Sequence, residues 1–344
     1  MAKKLFTIHA GTHKTASTYI QSRLYKNKEI LQRHNIRLLT PENSRTGLYK
    51  EFASWVKFKN YPAIEQDLKR IEHDDSHVII SAEHFTQSII DISCINDFKE
   101  ILNRKGYELQ VIIFLRDQPD YINSIYVQEV RRLYHTRNVP GFERRCRENR
   151  SHWFDYYSMF SHLINEKTIK TKFLPYCSSF GDPFLRFIYS LDLDLPYNIE
   201  WEQASIFNDQ PGIKGVWLAL QAGREIQRLG VNLRRLDKIS DFNRSNFIRK
   251  YSVPRGWSQD RFYGLKPHKA KRIKNFYKKN NDIFAKKVWG RDSWSDVYKN
   301  LKVQEFNILD ESLLSKNEMD EMKGLVEKVV SDIQQAYPAA FTDN

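Results

Sequence analysis

Three groups of residues in this chain have the types and spacing for chemistry. The first is Lys14 with the hydroxyls of Thr15, Ser17 and Thr18, closely following Gly11. An ammonium and several hydroxyl donors on a loop that opens a helix suit a phosphate-like anion. The helix N-terminal N–H groups and the positive end of its dipole point at the same spot. The second group is Arg116 with Ser124 eight positions later. Arginine offers a planar, permanently charged fork to a dianion, and a serine one turn into a helix adds a hydroxyl donor. The third is the adjacent pair Glu83 and His84. Either group can take a proton from an alcohol, which is a poor nucleophile until one is removed.

These residues fall at the junctions of predicted elements. Leu5, Phe6 and Ile8 form an apolar run of strand length, Gly11 supplies a bend, and a helix follows with Ile20 and Leu24 on one face. Residues 35–39 read as a short strand, and 48–71 as helical with a break near Pro62. Residues 77–83 read as a buried strand that ends in Glu83; because neighbouring strand residues face opposite ways, only one of Glu83 and His84 is expected to reach a substrate. Residues 97–105 read as a helix stopped by Gly106. The clearest strand, 109–115, runs directly into Arg116, and a helix starts at Pro119 and ends near Leu133. A further strand is expected at 168–176. Strands alternating with helices argue for a parallel α/β sheet, and Lys14, Glu83 and Arg116 should share its carboxyl edge, where such sheets bind ligands. From about residue 181 helical patterns dominate: 183–189, 215–229, 270–289, and a final amphipathic helix carrying Met319, Met322, Leu325, Val326, Val329, Val330 and Ile333. The expected organisation is one domain over 1–344, with an α/β core over 1–180 and a mainly helical extension over 181–344.

The loop is not a Walker A motif, because His13 rather than glycine precedes Lys14. Instead, Lys14-Thr15-Ala16-Ser17-Thr18-Tyr19 resembles the 5′-phosphosulfate loop of sulfotransferases that use 3′-phosphoadenosine 5′-phosphosulfate (PAPS), and the wider G-T-H-K-T-A-S-T text resembles the bacterial carbohydrate-type enzymes. Ala16 departs from that pattern, where glycine is usual, and alanine resists positive φ. The resemblance implies a P-loop-type parallel sheet flanked by helices. It implies that Gly11, His13, Lys14, Thr15, Ala16, Ser17 and Thr18 hold the 5′ end of PAPS, and that Arg116 and Ser124 hold the 3′-phosphate. It also assigns Lys14 to the bridging and leaving oxygens and Glu83 to the general base, with His84 as the alternative. No metal is then required. The acceptor would be a hydroxyl, on a sugar, polysaccharide or glycoconjugate. Lysine- and aromatic-rich helices near the C-terminus close over the nucleotide in such enzymes, and residues 266–287 have that composition.

The chain has 344 residues, 41% hydrophobic and 28% charged, enough for a sizeable core. Its net charge of +13 favours anionic partners without choosing among them. PAPS, with about four negative charges, would use part of that surplus. Arg131, Arg132 and the run from Arg144 to Arg150 are candidates for an acceptor groove, although a solvated face is the default for such runs. Cys94, Cys146 and Cys177 are widely spaced and suggest neither a disulfide framework nor a zinc site. His73 and His77 have helix-face spacing, but a strand begins at His77, so a loop is expected there. No run is long enough to span a bilayer, and the apolar stretch after Lys3 and Lys4 is too short for a signal peptide, which leads to the expectation of a cytoplasmic protein. Two rival readings remain at this level. One is a P-loop ATP- or GTP-dependent kinase, which needs a magnesium site. The other is a non-catalytic basic module for nucleic acid or acidic glycan, with steep salt dependence.

Overall fold

The structure is a computed structural model that describes residues 4–72, 75–149, 151–204, 210–233, 236, 241–299, 301 and 304–342. His73, Lys3 and Arg150, named above, lie outside the described residues.

Five strands form one parallel sheet: β1 (Lys4–Gly11), β2 (Ile36–Leu38), β3 (His77–Ser81), β4 (Tyr107–Arg116) and β5 (Lys170–Tyr176). Their order is β2-β3-β1-β4-β5, so the chain leaves β1 on one side and later returns to the other. Crevices beyond the carboxyl ends of strands form at such reversals. The helices, in chain order, are α1 (Ser17–Lys26), α2 (Lys28–Arg33), α3 (Lys50–Lys57), α4 (Tyr61–Leu68), α5 (Phe85–Ile89), α6 (Ile92–Arg104), α7 (Gln118–Arg131), α8 (Val139–Asn149), α9 (Tyr156–Asn165), α10 (Pro183–Tyr189), α11 (Gly212–Arg228), α12 (Asp241–Ser252), α13 (Pro267–Trp289), α14 (Trp294–Val297), α15 (Lys316–Ala336) and α16 (Ala339–Thr342). This is the expected α/β class, with a helical second half.

The chain divides into two compact units. The first comprises Met1–Asp117, His152–Asn208 and Phe276–Lys302, and contains the whole sheet. The second comprises Gln118–Ser151, Asp209–Asn275 and Val303–Asn344, and its described elements are helical. The crossings near 117, 151, 208, 275 and 302 do not coincide with the change of sequence character near 180.

In the first unit both sheet faces are covered, which explains why β1, β3 and β4 are apolar almost throughout. On one face Phe6 packs edge-on against Phe98 and Tyr107, with Phe52 stacked beside it. On the other, Ile79, Ile112 and Phe114 meet Ile20 and Leu24 of α1 and Phe184, Phe187 and Ile188 of α10. Two buried polar side chains of the sheet are paired: Thr7 Oγ1 donates to Gln110 Oε1 at 2.9 Å, and Gln110 Nε2 to Asp192 Oδ2 at 2.9 Å. In the second unit α11 packs against α7, α12 and α15. The amphipathic stripe of α15 buries Met322, Leu325, Val329, Val330 and Ile333, while a Ser315–Glu318 capping box starts the helix.

The structure corrects the sequence reading at three places. Helix α6 begins at Ile92, not Asp97, because Asp91 caps it by accepting from the Ser93 and Cys94 amides. Helices α8, α9 and α12 were not anticipated; their runs are rich in charged or aromatic residues. The break expected near Pro62 is present: α3 ends at Lys57 and α4 starts at Tyr61, with Pro62 in its first turn. Strand β3 stops at Ser81, so Glu83 and His84 sit in the turn before α5, where His84 has helical φ/ψ. Strand alternation therefore does not decide between them.

Phe6 is fully buried among three rings. Phe6→Ala should cost about 3–5 kcal/mol in urea unfolding, the range for deleting a core phenylalanine. A loss below about 1 kcal/mol would show that the neighbouring rings collapse into the space.

Candidate functional site

The turn from β1 into α1 is tied to its neighbours on several sides. Thr86 Oγ1 donates to the Gly11 carbonyl at 2.7 Å, and Thr12 Oγ1 to the Phe114 carbonyl on β4 at 2.9 Å. Within the turn Thr15 Oγ1 donates to the Thr12 carbonyl at 2.6 Å, and Arg116 Nη1, from the end of β4, donates to the Lys14 carbonyl at 3.3 Å. So bound, the turn holds Lys14 at φ 70° and Ala16 at φ 63°. Left-handed conformations cost an L-residue roughly 1–2 kcal/mol each. The alanine thus adopts the conformation it was expected to resist, and the brace of hydrogen bonds is what overrides its preference. Successive amides in alternating left- and right-handed backbone converge into an anion-binding concavity.

Helix α1 starts at this turn with no side-chain cap, unlike α6, α9 and α10, which aspartates cap. The first N–H groups of a helix have no intrahelical acceptor and need one from elsewhere. Ser17, in the first turn, is 4% exposed, and its Oγ has no hydrogen-bond partner. That oxygen lies over Gly11, where an added Cβ would approach it to 2.2 Å, so glycine is required for the close contact. A buried, unsatisfied hydroxyl beside uncapped helix amides is a donor set waiting for an anion. Lys14 is half-buried on the same turn, and Thr18 is exposed. Tyr19 serves structure instead: its hydroxyl joins Asp182 at 3.0 Å and accepts from the fully buried Arg23 at 2.7 Å.

Glu83 lies at the same edge. Its Oε2 is 3.3 Å from His13 Nδ1, and both side chains are partly exposed. Burial alone would raise the carboxyl, but the hydrogen bond and charge of His13, followed by His84 and Lys14, outweigh it and bring the group down to about 2. Burial pushes His84 below its usual value. Near neutrality the pair therefore offers an ionised carboxylate and a neutral imidazole, both proton acceptors. Sequence reasoning missed His9. It is fully buried in β1, its Nδ1 lies 2.7 Å from Ser81 Oγ, and burial pushes it down to about 3 despite the charge of Glu83. A histidine inside an otherwise apolar strand was the available signal.

Arg116 ends β4, half-buried, and one N–H of its five-donor fork is used on Lys14. Asp117, its neighbour, accepts instead from the Trp294 indole at 2.9 Å. Lys14, Glu83 and Arg116 are thus brought to one edge of the sheet. Ser124 belongs to the second unit, on α7, and is buried. Also in the second unit, Arg137, Arg144 and Arg145 line an open cleft of about 390 Å³ with Glu148, whereas Arg147 pairs inward with the fully buried Glu143. Burial, helped by Arg132 and Arg249, pushes Arg131 down to about 10.

The chain matches no protein-family model and no curated protein. A solved structure from a study of the PezAT chromosomal toxin–antitoxin system of the human pathogen Streptococcus pneumoniae aligns with 50% of this chain and 69% of its own, at 14% identity and a TM-score of 0.27. A likeness that low carries nothing about fold or function. No helix among the described residues is long and apolar enough to cross a membrane.

Two outcomes are expected from this geometry. Ala16→Gly should relieve the left-handed strain and, after the greater freedom of the unfolded chain is subtracted, stabilise by about 0.5–1 kcal/mol in urea or thermal unfolding; a loss would mean that the methyl group packs productively. Glu83→Gln should be less stable than wild type at pH 7. Because the folded-state carboxyl is depressed from 4.5 to about 2, its contribution is complete above the unfolded value and is lost as pH falls between those two. Urea midpoints taken across that interval should converge, and parallel curves would remove the His13–Glu83 interaction.

Proposed function

We propose that this chain is a PAPS-dependent sulfotransferase that moves a sulfuryl group to a hydroxyl on a sugar, polysaccharide or glycoconjugate. The observation that carries the reading is the buried, unpartnered Ser17 hydroxyl at the uncapped start of α1, in a turn strained left-handed at Lys14 and Ala16. Those donors suit the 5′-phosphosulfate. Arg116, at the neighbouring strand end, supplies a second cationic fork for the nucleotide.

Transfer would be in line. The acceptor oxygen bonds to sulfur as the bridging bond between sulfur and the phosphate oxygen breaks. The departing phosphate keeps that electron pair, and the acceptor proton passes to the base. Little covalent work falls to the protein, which positions the partners and stabilises charge on the leaving oxygen. Lys14 takes the leaving-oxygen role. Glu83 takes the proton, with His84 in reserve. His13 holds the carboxylate ionised and oriented.

Thermal melting with adenosine 3′,5′-bisphosphate against ATP plus magnesium tests the reading. A ligand that binds only the folded state at a hundredfold over its Kd adds about 2.7 kcal/mol. The bisphosphate should raise the melting point, and Arg116→Ala should reduce that shift. Lys14→Ala should fold normally and lose transfer from PAPS. A shift with ATP and magnesium alone would make the chain a kinase, and no shift with either would leave a basic binding module.

A further inference from the structure

The second unit contains a cavity of about 430 Å³ that the proposed chemistry does not use. It lies on one face of α11, where Ile213, Val216, Trp217 and Leu220 recur at helical spacing. An extended strap forms another wall. The bridge between Tyr263 and Asn307 pins it, the Asn307 side chain adds bonds to Asp260 Oδ1 and the Arg261 carbonyl, and Phe306 and Ile308 on either side line the cavity. Such a stripe ordinarily disappears into a core. Here it faces open space, and Phe306 and Ile308 are 37% and 43% exposed.

The polar groups in the wall are already committed. The Tyr126 hydroxyl donates to the Arg137 carbonyl at 3.1 Å, the Trp217 indole to Glu311 at 2.7 Å, and Asn138 Oδ1 accepts from the Gly141 amide at 2.9 Å. Glu143, fully buried, is paired with both Arg147 and Arg272. The wall therefore presents an apolar surface. Charge enters with Lys266 and Lys269, at the start of α13, with His268 beside them. Lys266 Nζ stands 5.5 Å from the centre of the Phe306 ring.

From this arrangement we propose that the cavity binds a small amphipathic anion, with an alkyl or aryl body against α11 and the strap and a carboxylate or sulfate head at Lys266 and Lys269. Its volume falls within the range of small-molecule pockets, which are apolar with a few placed polar groups. The cations select the head by charge complementarity, and the single acid in the lining is neutralised by two arginines. The proposal stands whether or not the first unit handles PAPS.

Calorimetry with hexanoate, octanoate and decanoate below their micellar concentrations tests it, with decanol as the uncharged control. Affinity should rise about three- to fourfold for each added methylene, the factor for burying one. Decanol should bind at least tenfold more weakly than decanoate. Leu220→Trp, which fills the cavity, should abolish binding. Lys266→Glu with Lys269→Glu, a surface change that leaves the fold intact, should weaken decanoate towards decanol. The idea fails if decanoate does not bind the wild-type chain, if Leu220→Trp binds it unchanged with a native melting curve, or if decanol matches decanoate. Sedimentation with phosphatidylglycerol vesicles in the absence of decanoate binding would assign the surface to a membrane and overturn it equally.

Discussion

The candidate site depends on one backbone constraint: a turn that keeps two residues with Cβ atoms left-handed. Lys14 and Ala16 would each relax to right-handed backbone if the turn were free. Thr12 and Arg116 tie it to the end of β4, and Thr86 ties it to the segment after β3. The parallel sheet makes this possible. With β1 between β3 and β4, and Gly11 in register with Phe114, the end of β4 and the segment after β3 present partners to one short loop. Strain of this kind persists only where its surroundings over-determine it, and it gathers at sites that bind or react.

Much of the fold was legible because its signals are local. Apolar runs at residues 77–83 and 109–115 read as buried strands, observed at His77–Ser81 and Tyr107–Arg116, and the start of α10 is written in Asp182 followed by Pro183. Less legible were elements whose stabilisation comes from tertiary packing. Helix α9 buries Tyr156 and Phe160 among other aromatic side chains, and α8 is organised around a buried Glu143 with arginines on two helices. The division into two units was not legible at all, because each unit is assembled from three separate stretches of chain.

At the site, residue types were readable and conformations were not. That Lys14 and Ser17 lie on the turn from a strand into a helix follows from glycine, hydroxyls and a helix start. That Ala16 would be left-handed does not, because the cause lies in Thr86 and Arg116, far away in sequence. Likewise Glu83 was identified as a carboxylate near a strand end. Its ionisation rests on His13, a residue of the other loop, and that pairing requires knowing that β1 and β3 are neighbours.

The His13–Glu83 contact also answers an electrostatic difficulty. A turn that concentrates positive potential for an anion is a poor place for a bare carboxylate, which would repel the same ligand. It is also an unstable place for a neutral carboxylic acid, because Lys14 and the histidines favour the charged form. Pairing Glu83 with an imidazole from the anion loop meets both demands. The carboxylate stays ionised and able to accept a proton, while its field is met locally at 3.3 Å rather than projected onto the ligand. The cost is basicity, since a group drawn down to about 2 takes a proton only from a donor that is becoming strongly acidic. An alcohol oxygen already bonding to an electron-poor centre is such a donor. In the sulfuryl transfer proposed above, proton transfer to Glu83 would therefore follow bond formation.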